Sequence, residues 1–414
     1  MNLAYSMFVS LVWFLSTYFN IVMLITLFKK RKEFFTSPSF EESGTLPKVS
    51  IIAPAYNEEK TIAASIESIK RIDYPKELLE IVIVNDGSTD NTSNVIKKYA
   101  NEKYITFIDN KKNKGKSACL NQAIKLSKGQ FIATMDSDSE VSKDVLKKTL
   151  PYFKEKKVGA VTITVKVKNP RTFIQKVIEI EYALGLSLAL KILSFFGSVH
   201  VTPGPFSIYR KSMFNKIGMF DVKNITEDLE IAYRIQKNGY TIQCCTTTHV
   251  KTVIPDNIKA LYKQRKRWYS GALLTVWKHK SLLFNPKMGL FGFILPYMYI
   301  LMVLGLSLFF FSIYLAVSNI FKSIGFYALT NFNLWSYLTM RNFDVLTFST
   351  LSFLGLLAIF TTFVMAIVGL KFANKSIRKT IPGFIGFIFL FLLYQAFWAS
   401  SFYSVFLKKK LEWR

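Results

Sequence analysis

The chain is poor in acid, cysteine and histidine. Its 414 residues include 27 Asp and Glu against 54 Lys and Arg, with only three cysteines and three histidines. Cys119, Cys244 and Cys245 are odd in number and unevenly spaced, which excludes a disulfide framework and a cysteine zinc site. Such a set fits a domain in a reducing compartment. His200, His249 and His279 are scattered along the chain and read as structural rather than as metal ligands. There is no P-loop and no Gly-x-Gly-x-x-Gly, which argues against a nucleoside triphosphatase or a dinucleotide enzyme. Internal repeats and low-complexity tracts are also missing.

What is present in excess is positive charge, +27 net. Such a surplus suits either nucleic acid, whose phosphates it neutralises, or the anionic face of a membrane. Lys29-Lys30-Arg31-Lys32 follows the first apolar run and Lys408-Lys409-Lys410 follows the last. No zinc-finger spacing or RNA-binding sheet motif accompanies the charge. The expected partner is therefore a lipid bilayer and not nucleic acid.

Half of the residues are hydrophobic, and they concentrate at the N-terminus and beyond about residue 289. Tyr5 to Phe28 is uncharged and long enough to cross a hydrocarbon core of roughly 30 Å as a helix. Its basic residues come after the apolar stretch, the reverse of a signal peptide, which predicts a retained anchor with an external N-terminus. Leu290–Val317, Leu346–Leu370 and Ile381–Leu407 are equally able to span. Phe326–Met340, broken by Asn331 and Asn333, reads as a loop or short surface helix. Four spans put the Lys371–Lys379 loop inside but Lys408–Lys410 outside, so a missed or re-entrant span is expected. The predicted layout is an anchor with its basic flank (1–32), a cytoplasmic domain (33–280) and a membrane region of about three helices (281–414). The corresponding location is the cell membrane, multi-pass.

Between the apolar ends, after a polar linker at Glu33–Leu46, short β-rich runs alternate with helical stretches. Val49–Pro54, Ile81–Asn85, Ile105–Ile108 and Phe131–Met135 read as strands, with helices such as Glu58–Arg71 and Lys116–Ser127 between them. Alternation of this kind predicts a parallel sheet with helices on both faces. Ligands of such sheets bind at the carboxyl ends of the strands. Asn57-Glu58, Asp86-Gly87 and the pair Asp136 and Asp138 all fall at strand ends and hence on one rim. Two carboxylates one residue apart suit a divalent cation carrying a diphosphate, because hard cations take oxygen ligands and keep few from the protein. A later carboxylate, in Thr226-Glu227-Asp228, can serve as a base. Two amphipathic helices, near 171–196 and 258–279, are expected at the membrane interface.

Taken in order, Pro54-Ala55-Tyr56-Asn57-Glu58, Asn85-Asp86-Gly87-Ser88-Thr89-Asp90, Asn113-Lys114-Gly115-Lys116, Asp136-Ser137-Asp138, Thr226-Glu227-Asp228 and Gln264-Arg265-Lys266-Arg267-Trp268 resemble family 2 glycosyltransferases. More narrowly, the chain resembles the processive membrane synthases of cellulose, chitin, hyaluronan and poly-N-acetylglucosamine. Each motif alone is weak; six in order over about residues 48–280 are specific. The resemblance implies an α/β nucleotide-diphospho-sugar transferase (GT-A) fold with transmembrane helices at both ends. It also implies inverting transfer from a UDP-sugar donor to a growing polysaccharide.

The resemblance further implies roles for single residues. Tyr56, Asn57, Glu58 and Lys116 meet the nucleotide, and Asp86 reads the uracil or ribose. Asp138 and Asp136 hold the metal, Mg2+ or Mn2+, with Asp138 in direct contact and Asp136 nearer the ribose and phosphate. Asp228 is the general base, with Glu227 beside it. Gln264, Arg267 and Trp268 belong to the motif of chain-extending synthases: Arg267 holds the diphosphate and Trp268 offers a flat face to the acceptor sugar. Gly204-Pro205 opens the acceptor floor. The segment Gly204–Arg210 looks closest to hyaluronan and chitin-oligosaccharide synthases, whereas Arg267-Trp268-Tyr269-Ser270-Gly271 looks more like cellulose and poly-N-acetylglucosamine enzymes. The polymer stays open on these cues, with N-acetylglucosamine the first donor sugar and glucose the second. The alternative is a single addition to a polyprenyl phosphate or another membrane lipid.

Overall fold

A computed structural model describes residues 3–40, 45–329, 350–372 and 377–407. The described strands, all in one sheet, are β1 (Val49–Ala55), β2 (Leu79–Asp86), β3 (Ile105–Asn110), β4 (Phe131–Thr134), β5 (Glu140–Val141), β6 (Val158–Val167), β7 (Ser207–Arg210) and β8 (Thr241–Thr252). The principal helices begin with α1 (Leu3–Lys29), α2 (Ile62–Lys70), α3 (Thr92–Lys97), α4 (Lys116–Leu126) and α5 (Val145–Thr149). They continue with α6 (Phe173–Tyr182), α7 (Leu190–Phe195), α8 (Lys211–Ile217), α9 (Glu227–Lys237), α10 (Ile258–Lys278) and α11 (Phe291–Leu329). Two more follow, Thr350–Phe372 and a terminal helix, Ile377–Phe406.

The strand order is β3-β2-β1-β4-β7-β6-β8-β5. The four strands legible from apolar runs, β1 to β4, are mutually parallel. Beyond β4 the sheet is mixed rather than parallel as expected. β7 runs antiparallel to both β4 and β6, β6 and β8 are parallel, and β5 is antiparallel to β8. This orientation still serves a single rim. The carboxyl ends of β1, β2, β4 and β8 and the start of β7 all face the same way, so the segments 55–58, 86, 136–138, 204–206 and 252 converge there.

β1 shows why the centre of the sheet folds as it does: all seven of its residues are buried, as expected of a strand covered on both faces. The core joins Ile51, Ile66, Ile81, Ile83, Val161 and Ile208 with the helices above and below. Between α6 and α7 the helix widens into a π turn over Ala183–Ala189, immediately after Tyr182. Thr172 caps the start of α6 through a capping box with Gln175.

The chain divides into two compact units, Met1–Ile25 with Tyr297–Ile367, and Thr26–Pro296 with Val368–Arg414. Within the first, α1 meets α11 through Tyr297 Oη, which donates to the Leu15 carbonyl at 2.7 Å. In the second, the terminal helix packs on α6 and α10, so the 171–196 helix is covered on one side by the sheet and on another by an apolar helix. Among the described residues four helices are long and apolar enough to cross a membrane by length and composition: Ala4–Lys29, Phe291–Lys322, Phe353–Lys371 and Gly383–Phe406. The expected surface segment 326–340 continues α11 as far as Leu329; the rest of it, and Lys408–Lys410, lie outside the described residues.

Candidate active site

The rim opens into a cavity of about 1160 Å³. It is lined by Tyr56, Glu58, Asp86, Lys116, Asp136, Asp138, Gly204, Pro205, Glu227, Asp228, Gln264, Arg267 and Trp268, with Tyr182 and Thr252 among its other walls. Every residue expected at the site is present except Asn57.

Asn57 does not line the cavity, and its side-chain oxygen is engaged by the adjoining loop. At φ 56 it takes the left-handed conformation that asparagine tolerates, and its Oδ1 accepts from the Thr89 N–H at 2.8 Å. Neighbouring bonds, Glu58 N–H to Thr92 Oγ1 at 2.8 Å and Asn91 N–H to Glu59 at 3.1 Å, lock the same two loops together.

Asp86 is buried, and its two oxygens accept from the backbone N–H groups of Lys114 and Gly115 at 2.8 and 2.9 Å. It fixes the loop that delivers Lys116. Gly87 permits this approach: at φ 70, an added Cβ would stand 2.7 Å from the Lys112 backbone. Gly115, at φ 87, then turns the chain into α4.

Lys116, the first residue of α4, bridges Asp136 at 2.6 Å and Glu227 at 2.7 Å. Burial alone would depress its ammonium, but Asp136, Glu227 and Asp228 outweigh that and hold it above the ordinary lysine range. Gly204 borders the same pair closely, since a Cβ there would stand 2.9 Å from both Asp136 Oδ2 and Lys116 Nζ.

Asp138 Oδ1 accepts from Ser139 at 3.1 Å and from Thr252 at 3.3 Å. Burial first, then the charges of Asp136 and Glu58, push its carboxyl up to about 6. A divalent cation would relieve that accumulation of negative charge. The pair Asp136 and Asp138 therefore fits such an ion, although no group of three or more His, Cys, Asp or Glu side chains gathers as metal ligands among the described residues. Most of the coordination would fall to a diphosphate and water, as magnesium prefers.

Glu227 and Asp228 open α9, where the helix dipole favours carboxylates. The Asp228 carbonyl accepts from Thr202 N–H and Oγ1 at 3.1 and 2.8 Å, pinning the helix start. Burial, then Glu227, raises the Asp228 carboxyl to about 6 against the pull of Lys116 and Arg267. A carboxylate of that kind is ionised at neutral pH yet basic enough to take a proton.

Trp268 stands on α10 with Tyr182 near it, ring centroids 6.5 Å apart and planes 27° from parallel. Three contributors gave no sequence signal of their own. Thr252 ends a polar strand, Tyr182 sits in an apolar helix ahead of the π turn, and Arg265 is hidden among three other basic residues. The three-residue spacing of Arg265 and Trp268 on a helix is the one cue that could have suggested their contact.

Carboxylates at the ends of β2 and β4 and at the start of α9, on an open mixed sheet, make up a GT-A nucleotide-sugar transferase fold. Residues 50–218 match the family model of Glycosyl transferase family 2. Among curated relatives, the poly-beta-1,6-N-acetyl-D-glucosamine synthase of Staphylococcus epidermidis is 29% identical over 260 residues, 62% of this chain and 63% of its own length. The synthase of the same name from Staphylococcus aureus is 30% identical over 271 residues, 65% of this chain and 64% of its own. The matched region is thus under two thirds of each relative. The mannosyltransferase PcManGT from Pyrobaculum calidifontis, solved with GDP-Man and Mn2+, superposes with a TM-score of 0.57 over 86% of this chain and 99% of that one. At 18% identity this is a likeness of fold.

Proposed function

We propose that the chain is an inverting, metal-dependent membrane glycosyltransferase that polymerises a β-linked polysaccharide from a UDP-sugar. The donor is UDP-N-acetylglucosamine first and UDP-glucose second, taken up on the cytoplasmic side. One observation carries this reading: Lys116 joins Asp136 to Glu227 within a cavity that also presents Asp138, Asp228 and the face of Trp268. The names of the Staphylococcus relatives support N-acetylglucosamine.

In the reaction, an acceptor hydroxyl held against Trp268 gives its proton to Asp228 as its oxygen bonds to the anomeric carbon. The bond from that carbon to the UDP oxygen breaks on the opposite face, which inverts the centre. Lys116 and Arg267 supply positive charge where the leaving diphosphate gathers its negative charge, and they are already in place before it develops. Mg2+ or Mn2+, held by Asp138 with Asp136, would supply Lewis-acid neutralisation of the same diphosphate. Because the leaving group is charge-stabilised and needs no proton, one carboxylate base is sufficient.

In this reading the product passes into the bilayer near Trp268, since α10 packs on a helix long and apolar enough to span. The basic flank of α1, Lys29-Lys30-Arg31-Lys32, supports a cytoplasmic catalytic domain. Incubating the purified protein with labelled UDP-N-acetylglucosamine, and separately with UDP-glucose, tests the reading. Products of many sizes support polymerisation, whereas a single chloroform-soluble species would replace it with transfer to a lipid.

A further inference from the structure

Arg265 is an unusual residue for its position: it is charged, fully buried, and stacked on an aromatic ring that lines the cavity. Its guanidinium carbon lies 4.0 Å from the centroid of Trp268. Nη1 donates to Gln264 Oε1 at 2.9 Å, Nη2 to Glu181 at 2.8 Å, and Nε reaches the Tyr394 hydroxyl at 3.4 Å. Tyr394 in turn donates to the same Glu181 oxygen at 2.6 Å. Arg265 therefore touches two cavity-lining side chains and fastens them to α6 through Glu181 and to the terminal helix through Tyr394.

Two further contacts join α10 to that helix, from residues before and after Arg265 on α10 to residues that both follow Tyr394. Tyr262 Oη and Ser400 Oγ are 2.6 Å apart, and the rings of Tyr269 and Trp398 stack at 4.0 Å with planes 7° apart. These contacts tie the middle of α10 closely to the segment 394–400 of the terminal helix. Burying an ion pair is on balance no better for stability than a well-packed apolar group. Packing alone therefore does not account for an arginine here, and its placement over Trp268 calls for another reason.

We propose that Arg265 is a positioning residue that sets the angle of the Trp268 platform and couples it, through Glu181 and Tyr394, to the terminal helix. This rests on the acceptor role proposed above for Trp268. Its effect falls on how firmly the acceptor is held between additions. The donor side of the cavity, around Asp136, Asp138 and Lys116, is not touched by Arg265.

The full-length enzyme with Arg265→Lys, which keeps the charge but not the planar stack, and with Tyr394→Phe, which keeps the ring but not the hydroxyl, tests this. Three readouts are needed: the KM for UDP-N-acetylglucosamine, the ratio of sugar transferred to UDP released, and the length distribution of the product. Both variants should keep the donor KM within about twofold while the transfer ratio falls about tenfold and chains shorten. Product lengths and ratios equal to those of the wild type in both variants would overturn the inference. So would a parallel loss of donor KM and transfer, which marks a purely structural arginine. A wild-type enzyme that makes no polymer would instead overturn the proposed function, and this inference with it.

Discussion

Gly271 on α10 lies against Thr226, the residue just before Glu227 and Asp228, so closely that a methyl group would stand 2.4 Å from the threonine Oγ1 and Cγ2. The threonine cannot easily swing aside, because its Oγ1 bonds Asn224 at 3.1 Å and Asn224 is tied to Thr275 of α10 at 2.9 Å. Gly271→Ala should therefore displace the start of α9. Misplacing the base by about an ångström costs on the order of 100-fold in rate. The transfer rate of the variant, with its thermal unfolding run in parallel, checks this; a wild-type rate would mean that the contact relaxes without moving Asp228.

The raised Asp228 carboxyl predicts the pH dependence. Burial, then the charge of Glu227, raises that carboxyl to about 6, and the base works only when ionised. Transfer should be lost as pH falls through about 6 and be flat above it. A profile of kcat/KM against pH between about 5 and 8 reads this directly.

Lys116→Met should act on both stability and chemistry. It leaves Asp136 and Glu227 without their shared cation, at a cost on the order of 3 kcal/mol for a pair this enclosed. Lys116 also lowers the Asp228 carboxyl, so its removal should move the acid limb of the pH profile to higher pH. Thermal melts and the same profile measured on the variant provide the check.

Farther along α9, Glu230 is fully buried and accepts from Arg234 at 2.8 Å, Lys278 at 2.8 Å and His279 at 3.0 Å. Burial would raise its carboxyl, but bonds from His279, Arg234 and Lys278 prevail and hold it at about 2. A depressed carboxylate contributes stability above its unfolded value of about 4.3 that is lost as pH falls toward the folded value. Glu230→Gln should thus lower stability by roughly 2 kcal/mol at neutral pH, and the difference should shrink towards zero near pH 2. Denaturation of both proteins across that range measures it.

Much of this rim is legible in the sequence. β1, β2 and β4 announce themselves by continuous apolar runs, and the acidic motifs that follow them fall at the same edge. The second half of the sheet was not legible, because β5 has two residues, β7 has four, and β8 (TIQCCTTTHVKT) is largely polar. Asn57 does not line the cavity; a strand-end position does not tell whether a side chain turns to the rim or to the adjoining loop. Arg265 escaped notice because neither its burial nor its partners Glu181 and Tyr394, 84 and 129 residues away, leave a mark on the sequence.

The most direct test compares the wild-type enzyme with Asp228→Asn, each supplied with labelled UDP-N-acetylglucosamine and either Mg2+ or Mn2+, with and without a chelator. The account predicts polymer of many lengths from the wild type, abolished by the chelator, and none from Asp228→Asn. Polymer formed by the variant at the wild-type rate, or equally well in the chelator, would contradict it.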